Sequence, residues 1–205
     1  METEFELETV EVGPYAFEIT TVAHLPIELL MFNHAKGVEI SGQKVWCGSL
    51  SVAQYLLNNK HLVVDHVVVE LGAGTGILGM LCEKLGCQHA FLTDNDPQSL
   101  LHMHEDCPRN EIVHASVNPL DWFNPDINSL QLQPLLESSK LVVVAGDVLY
   151  KHALIAPFFS TVCQLLRLKP ESCMYLCHVP RAGMFLCVLC VHFPTIDFFP
   201  NLTRT

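Results

Sequence analysis

The chain has 205 residues, of which half are hydrophobic, and a formal net charge of −11 at pH 7. This length and composition predict a folded domain with a sizeable core and exclude a disordered polymer. Eleven basic against 22 acidic residues, with no basic stripe, argue against a nucleic-acid surface and favour a basic partner.

The N-terminal segment METEFELETVEVG lacks the layout of a signal peptide, and the apolar run from Met184 to Phe193 is too short to span a bilayer. We therefore expect no membrane association and a cytoplasmic or nuclear location, where the nine cysteines stay reduced. The cysteines and histidines near the C-terminus suggest a zinc site as one alternative. Because they fall in strand-like and apolar runs, the expectation is that no metal binds. These residues are Cys173, Cys177, His178, Cys187, Cys190 and His192.

The N-terminal part, residues 1–60, is predicted to contain two strands and a helix that pack on the core. The strands are YAFEITTV (15–22) and IELLMF (27–32). The helix is VWCGSLSVAQYLLNN (45–59), because apolar residues recur there at helical spacing.

Apolar strands alternate with helices from residue 61 to 180, which we take as the core. The predicted strands are HVVVEL (66–71), HAFLTD (89–94), EIVHAS (111–116), a part of LVVVAGDVLY (141–150) and SCMYLCHVP (172–180). The predicted helices are TGILGMLCEKLG (75–86), DPQSLLHMHEDC (96–107, with Asp96 as N-cap and Pro97 next) and APFFSTVCQLLRL (156–168). Such a pattern predicts an α/β fold with a doubly wound, mostly parallel sheet. The polar connection 118–139 is expected at the mouth of a site.

A glycine-rich turn, ELGAGTG (70–76), follows the first core strand, where open α/β sheets bind their ligands. A dinucleotide fingerprint fits only from Gly74 to Gly79, a register that starts after the strand has ended. Glu70 at the strand end would repel a pyrophosphate but not a cationic sulfonium. Asp94 or Asp96, about twenty residues further on, can accept both ribose hydroxyls. The pattern predicts S-adenosylmethionine as ligand, with a turn that serves packing alone as the alternative.

Four blocks resemble one enzyme family. They are KVWCGSLSVAQYLL (44–57), VVVELGAGTGILGMLCEKLG (67–86), VNPLDW (117–122) and GDVLY (146–150). Together they are similar to class I, seven-strand, S-adenosylmethionine-dependent methyltransferases, and more narrowly to the methyltransferase-like protein-lysine group and its methyltransferase-like protein 22 branch. The resemblance implies methyl transfer to a lysine side chain of a protein substrate.

The resemblance also implies roles for individual residues. The methionine part of the cofactor would be held by Glu70, Gly72, Gly74 and Gly76, and its ribose by Asp94. Asp121 and Trp122 would flank the adenine, and Trp46 would close the pocket. Asp147 and Tyr150 match the lysine-directed motif, with Asp147 orienting the amine. The alternatives are core packing for the two tryptophans and a helix N-cap for Asp147.

Several histidines and acids are interpreted as surface residues rather than as a site. They are His34, His102, His104, Glu105, Asp106 and His152. The tail, residues 181–205, is too short for the helix and final hairpin of the resembled family, so the C-terminal hairpin is expected to be incomplete. We expect residues 184–193 to pair with the last core strand as a single sixth strand.

Two other functions stay open at this point. The short tail leaves room for a catalytically impaired interaction module that keeps the cofactor fold. A nicotinamide-dependent oxidoreductase is disfavoured by Glu70 and by the displaced glycine register.

Overall fold

The computed structural model describes residues 4–23, 41–137 and 139–178, and the backbone of 187–192. The strands are β1 (Phe5–Val12), β2 (Tyr15–Val22), β3 (Val67–Leu71), β4 (His89–Asp94), β5 (Ala115–Pro119), β6 (Leu141–Gly146), β7 (Cys173–His178) and β8 (Cys187–His192). The α-helices are α1 (Cys47–Asn58), α2 (Ile77–Lys84), α3 (Pro97–Arg109), α4 (Gln133–Leu136) and α5 (His152–Leu166). Short 3₁₀ turns cover Ser41–Gln43, Lys60–Leu62 and Ile127–Leu130.

The central sheet has six strands in the order β5-β4-β3-β6-β7-β8. The first five strands of this order are parallel, and β8 runs antiparallel along β7. β3, β6 and β7 are buried on both faces, as their apolar sequences require. Because the strand order reverses beside β3, the carboxyl ends of β3 and β6 border a crevice.

Helices cover both faces of the sheet. On one face, Val52, Leu56 and Leu78 of α1 and α2 pack with alternate strand residues such as Val68 and Val144. On the other face, side chains of α5 and of the connection before β6 pack on the sheet: Phe158, Val162, Leu165, Leu130 and Leu136. The predicted doubly wound architecture is therefore confirmed.

The N-terminal hairpin of β1 and β2 packs against α3. The Asp106 carboxylate accepts hydrogen bonds from the backbone N–H and the hydroxyl of Thr20, both at 2.8 Å, and it pairs with Arg109. Asp106 is fully buried, and His102 is only 5% exposed. The prediction that these two lie at the surface is wrong, because the hairpin covers this face of α3. His104, Glu105 and His152 are exposed, as predicted.

Two strand predictions need correction. β2 pairs with β1, which the sequence did not predict, while residues 27–32 and His34 lie outside the described residues. The strand expected at 111–116 begins only at Ala115, because Glu111 adopts a φ of +58° and turns the chain. The other predicted strands and helices of the core are confirmed, including Asp96 as the N-cap of α3, which accepts from the Ser99 N–H.

β8 gives the sheet an antiparallel edge strand. Its residues pair with β7 from Cys173↔His192 to His178↔Cys187, so the expected sixth strand within 184–193 is confirmed. Among the described residues, no helix is long and apolar enough to cross a bilayer.

Candidate cofactor and substrate site

A cavity of about 400 Å³ opens at the carboxyl ends of β3, β4, β5 and β6. Its walls come from the glycine turn after β3, the Asp94–Pro97 turn after β4, residues 120–123 after β5 and the segment that follows β6. Residues of the segment 41–49 supply the remaining wall. The volume suits a small organic ligand, and the position is the one that open α/β sheets use for binding.

The first two glycines of the turn shape the cavity. Gly72 and Gly74 line it with φ angles of +64° and +55°, which side chains rarely adopt. A Cβ on Gly74 would lie 2.8 Å from the carbonyl oxygen of Gly42. Gly76 does not line the cavity, since a Cβ there would meet Leu92 at 2.6 Å, in the core. At Gly76 the missing side chain permits close packing of α2 against β4 and α3, and its cofactor role stays a prediction.

Glu70 lies beneath the glycine turn and does not line the cavity. The side chain is buried, and its Oε2 accepts a 2.7 Å hydrogen bond from the Gly79 N–H in the first turn of α2. Burial raises the pKa of the Glu70 carboxyl to about 8, against the opposing effect of backbone N–H donors. The structure therefore does not bear out direct contact with the methionine part of the cofactor. Nor does it bear out the argument that Glu70 repels a pyrophosphate.

Asp94 holds the second turn of the cavity against the first. Its Oδ2 accepts from the Gly74 N–H at 2.8 Å, and its Oδ1 accepts from the N–H groups of Asn95 and Asp96. Burial raises the pKa of this carboxyl. Asp94 and Asp96 both line the cavity, so the carboxylates that the sequence placed at the ribose lie beside the glycine turn.

Three more of the predicted residues line the cavity. Trp122 lines the cavity and packs edge-on against Phe158, with ring centroids 5.1 Å apart. Asp121 also faces it, and its Oδ1 accepts from the Phe123 N–H. Trp46 lines the opposite wall and donates its Nε1–H to the carbonyl of Ser41 at 2.7 Å. Both tryptophans therefore border the cavity.

Asp147 and Tyr150 line the cavity from the segment that follows β6. Asp147 has a φ of +58°, and its Oδ2 accepts a 2.7 Å hydrogen bond from the Gly48 N–H in the first turn of α1. The N-cap of α5 is Lys151, so Asp147 binds the amino end of a different helix from the one the N-cap alternative assumed. The Tyr150 hydroxyl accepts from the Ser41 hydroxyl at 3.2 Å.

Sequence reasoning missed the segment that crosses the cavity. Ser41 and Gly42 line it, and Gln43 is buried behind them. Phe123 also lines the cavity while 65% of it is exposed. For residues 41–43, the available sequence signal was their position directly before the block that begins at Lys44. The described residues contain no group of three or more His, Cys, Asp or Glu side chains placed to hold a metal ion.

A family model described as lysine methyltransferase matches residues 27–186. The chain belongs to this family. The resemblance to S-adenosylmethionine-dependent methyltransferases that was drawn from its sequence blocks is thereby confirmed.

Relatives of this chain carry names that state different substrates, or none. Methyltransferase-like protein 22 of Mus musculus is 25% identical over 85% of this chain and 47% of its own length. Histone-arginine methyltransferase METTL23 of Xenopus laevis is 29% identical over 64% and 54%. Protein-lysine N-methyltransferase EFM3 of Chaetomium thermophilum is 29% identical over 63% and 40%. The chain spans about half the length of these curated relatives.

Solved structures share the fold. The T. thermophilus 16S rRNA methyltransferase RsmC, in complex with AdoMet and guanosine, superposes with a TM-score of 0.59 at 15% identity, over 88% of this chain and 43% of that one. SMU.776 complexed with SAH gives a TM-score of 0.56 at 10% identity, over 85% and 42%. These superpositions confirm the fold of class I methyltransferases.

The residues of the cavity fit S-adenosylmethionine, the cofactor of this family. Gly72 and Gly74 line the cavity without side chains, so a ligand could approach their backbone closely. Asp94 and Asp96 line it with carboxylate oxygens, which would accept hydrogen bonds from the ribose hydroxyls. Asp121 and Trp122 line it with a polar and an aromatic surface that would suit the adenine.

Proposed function

We propose that this methyltransferase transfers a methyl group to lysine side chains of a protein substrate. One observation carries the proposal. The cavity that contains the glycine turn also contains Asp147 and Tyr150, the acidic and aromatic residues after β6. A carboxylate and an aromatic ring beside the cofactor site are suited to binding and orienting an amine.

The charge of the protein supports a cationic substrate. Four carboxylates line the cavity against two lysines: Asp94, Asp96, Asp121 and Asp147, against Lys44 and Lys151. The chain as a whole carries a formal charge of −11. A field of this sign attracts a basic protein segment and increases its rate of association. The family description and the printed name of EFM3 point to lysine as the target within such a segment.

The chain's own residues have two tasks in such a transfer, to desolvate the amine and to orient it. The amine must be neutral to act as a nucleophile, whereas free lysine titrates near ~10.4. Trp46, Trp122 and Tyr150 form apolar walls that desolvate the amine and so favour loss of its proton to solvent. Asp147 accepts a hydrogen bond from the amine and aligns it. It can do so while it binds Gly48, because a carboxylate accepts from several donors at once.

When bound, the cofactor supplies an electrophilic methyl group on a sulfonium. The protein's contribution is positioning, which makes the reaction effectively intramolecular. The hydrogen bond between Asp147 and Gly48 contributes to this positioning. It connects Asp147 and Tyr150, the proposed substrate-binding residues after β6, to the amino end of α1.

The test is a methylation assay with labelled S-adenosylmethionine on cell extract, followed by mass spectrometry of the labelled peptides. We expect label on lysine with wild type and with Glu171→Gln. We expect at least about a hundredfold less with Asp147→Ala, as is typical when a positioned group at the reacting centre is removed. Glu171 is a suitable control because it is exposed and pairs with Lys140 near the amino ends of β6 and β7, whereas the cavity lies at the carboxyl ends of the strands.

Three results would contradict the proposal. Label on arginine would assign the substrate named for METTL23 instead. Equal labelling by Asp147→Ala would remove Asp147 from the reaction. Binding of S-adenosylhomocysteine without any transfer to the extract would favour an interaction module that keeps the cofactor fold.

A further inference from the structure

A buried polar network lies directly behind the cavity. Gln43 is only 2% exposed, and its Nε2 donates to Asp96 Oδ2 at 2.7 Å and to Ser99 Oγ at 3.0 Å. Its Oε1 lies 2.7 Å from Nδ1 of His102. Every polar atom of this buried amide therefore has a partner, as the cost of burying polar groups demands.

The direction of each hydrogen bond in the network is fixed by chemistry. A carboxylate only accepts, so the amide nitrogen of Gln43 faces Asp96 and the amide oxygen faces His102. The oxygen also only accepts, so Nδ1 of His102 carries the proton. The Ser99 hydroxyl donates to the same Asp96 Oδ2 at 2.9 Å while it accepts from Gln43. Because each of these hydrogen bonds can run in only one donor-to-acceptor direction, the network holds its side chains in one arrangement.

The network fixes two walls of the cavity. Residues 41–43, which we call the strap, cross the glycine turn so closely that the Gly42 carbonyl would lie 2.8 Å from a Cβ on Gly74. At the other end of the strap, the Ser41 carbonyl accepts a hydrogen bond from the Trp46 indole. The Ser41 hydroxyl donates a hydrogen bond to Tyr150. Asp96, which also lines the cavity, accepts a hydrogen bond from Gln43.

We propose that Gln43 is a positioning residue for the cofactor: its side-chain amide, anchored by His102, holds the strap across the glycine turn and holds Asp96 toward the ribose. Gln43 and His102 do not themselves line the cavity. They act through the strap and through Asp96. The proposal concerns cofactor binding and does not depend on lysine being the substrate.

The test is the affinity for S-adenosylhomocysteine, measured by isothermal titration calorimetry. Gln43→Met keeps the volume of the side chain and removes its hydrogen bonds, so we expect the affinity to fall about tenfold, the loss typical of one hydrogen bond to a charged group. Gln43→Glu places a second carboxylate against Asp96 and should weaken binding further. Gln54→Met is the matched control, because Gln54 is exposed on α1, and its affinity should equal that of wild type.

A second pair of variants distinguishes positioning from packing. His102→Gln retains a donor for Gln43 and should preserve most of the affinity, whereas His102→Leu should lose about as much as Gln43→Met. Hydrogen exchange of the ligand-free protein should show faster exchange in residues 41–46 of Gln43→Met than of wild type.

The proposal is overturned if Gln43→Met binds S-adenosylhomocysteine within twofold of wild type, because the amide would then only fill space. It is also overturned if His102→Gln is as weak as His102→Leu. Should Gln43→Met fail to fold, the comparison of the two His102 variants decides the question by itself.

Discussion

The buried carboxyl of Glu70 predicts an unusual dependence of stability on pH. Its pKa, about 8 in the folded protein, stands against an ordinary value of 4.5. The folded state therefore binds a proton that the unfolded state has released, throughout the range between these two values. The resulting stabilisation is complete below about pH 4.5 and is lost as the pH rises through 8. Replacement by Gln removes the titration while keeping the shape of the side chain.

The size of the effect follows from the shift. Within the window, the free energy of unfolding of wild type should fall by about 1.4 kcal/mol for each pH unit because of this group. The whole shift corresponds to a contribution on the order of 5 kcal/mol. The interval from pH 6.5 to 7.5 is the most informative, because burial moves the titration of other groups away from it. Burial lowers the pKa of His89 and His102 and raises that of Cys82 and Cys87.

The assay is urea unfolding of wild type and Glu70→Gln at several pH values within this interval. We expect the stability difference between the two proteins to shift in favour of Glu70→Gln by about 1.4 kcal/mol per pH unit as the pH rises. A constant offset caused by the altered contact with Gly79 does not affect this slope. Parallel curves for the two proteins would refute the reasoning, since they would show that Glu70 is ionised in the folded protein.

Three further predictions concern the site and the sheet edge. Gly74→Ala should abolish binding of S-adenosylhomocysteine in calorimetry, because the added Cβ would meet the Gly42 carbonyl. The control Gly86→Ala should lose only stability, since Gly86 has a positive φ but no atom within 4 Å of its Cβ position; equal affinities of the two variants would contradict the cavity assignment. Asp147→Ala should lower the free energy of unfolding by about 1 kcal/mol through loss of the Gly48 contact, while affinity for S-adenosylhomocysteine stays near that of wild type; loss of that affinity in a folded variant would place Asp147 at the cofactor instead. Deletion of residues 181–205 should increase aggregation in light scattering, because β8 covers the edge of β7; improved behaviour in solution would show that the edge needs no cover.

Residues that interact with near neighbours in the chain were predicted well. The Asp96 cap acts on Ser99, three residues away, and the apolar strands and the glycine turn are each encoded by a few consecutive residues. β1 was missed because its alternation changes phase: Phe5 and Leu7 are exposed, whereas Val10 and Val12 are buried. Since a period-2 pattern must keep one phase to predict a strand face, the sequence signal cancelled there.

The sequence by itself determined the α/β order, the position of the glycine turn and the set of acids and aromatics around it, because periodicity and turn chemistry act over a few residues. Only the tertiary structure decided which of these side chains reach the cavity. The Glu70 side chain is buried in the core, and Gly76 lies close to Leu92 there. Asp147 binds Gly48, 99 residues away. Gln43 meets Asp96 across 53 residues. Burial and partners at such separations depend on how the chain packs across the sheet, and no local pattern in the sequence encodes that path.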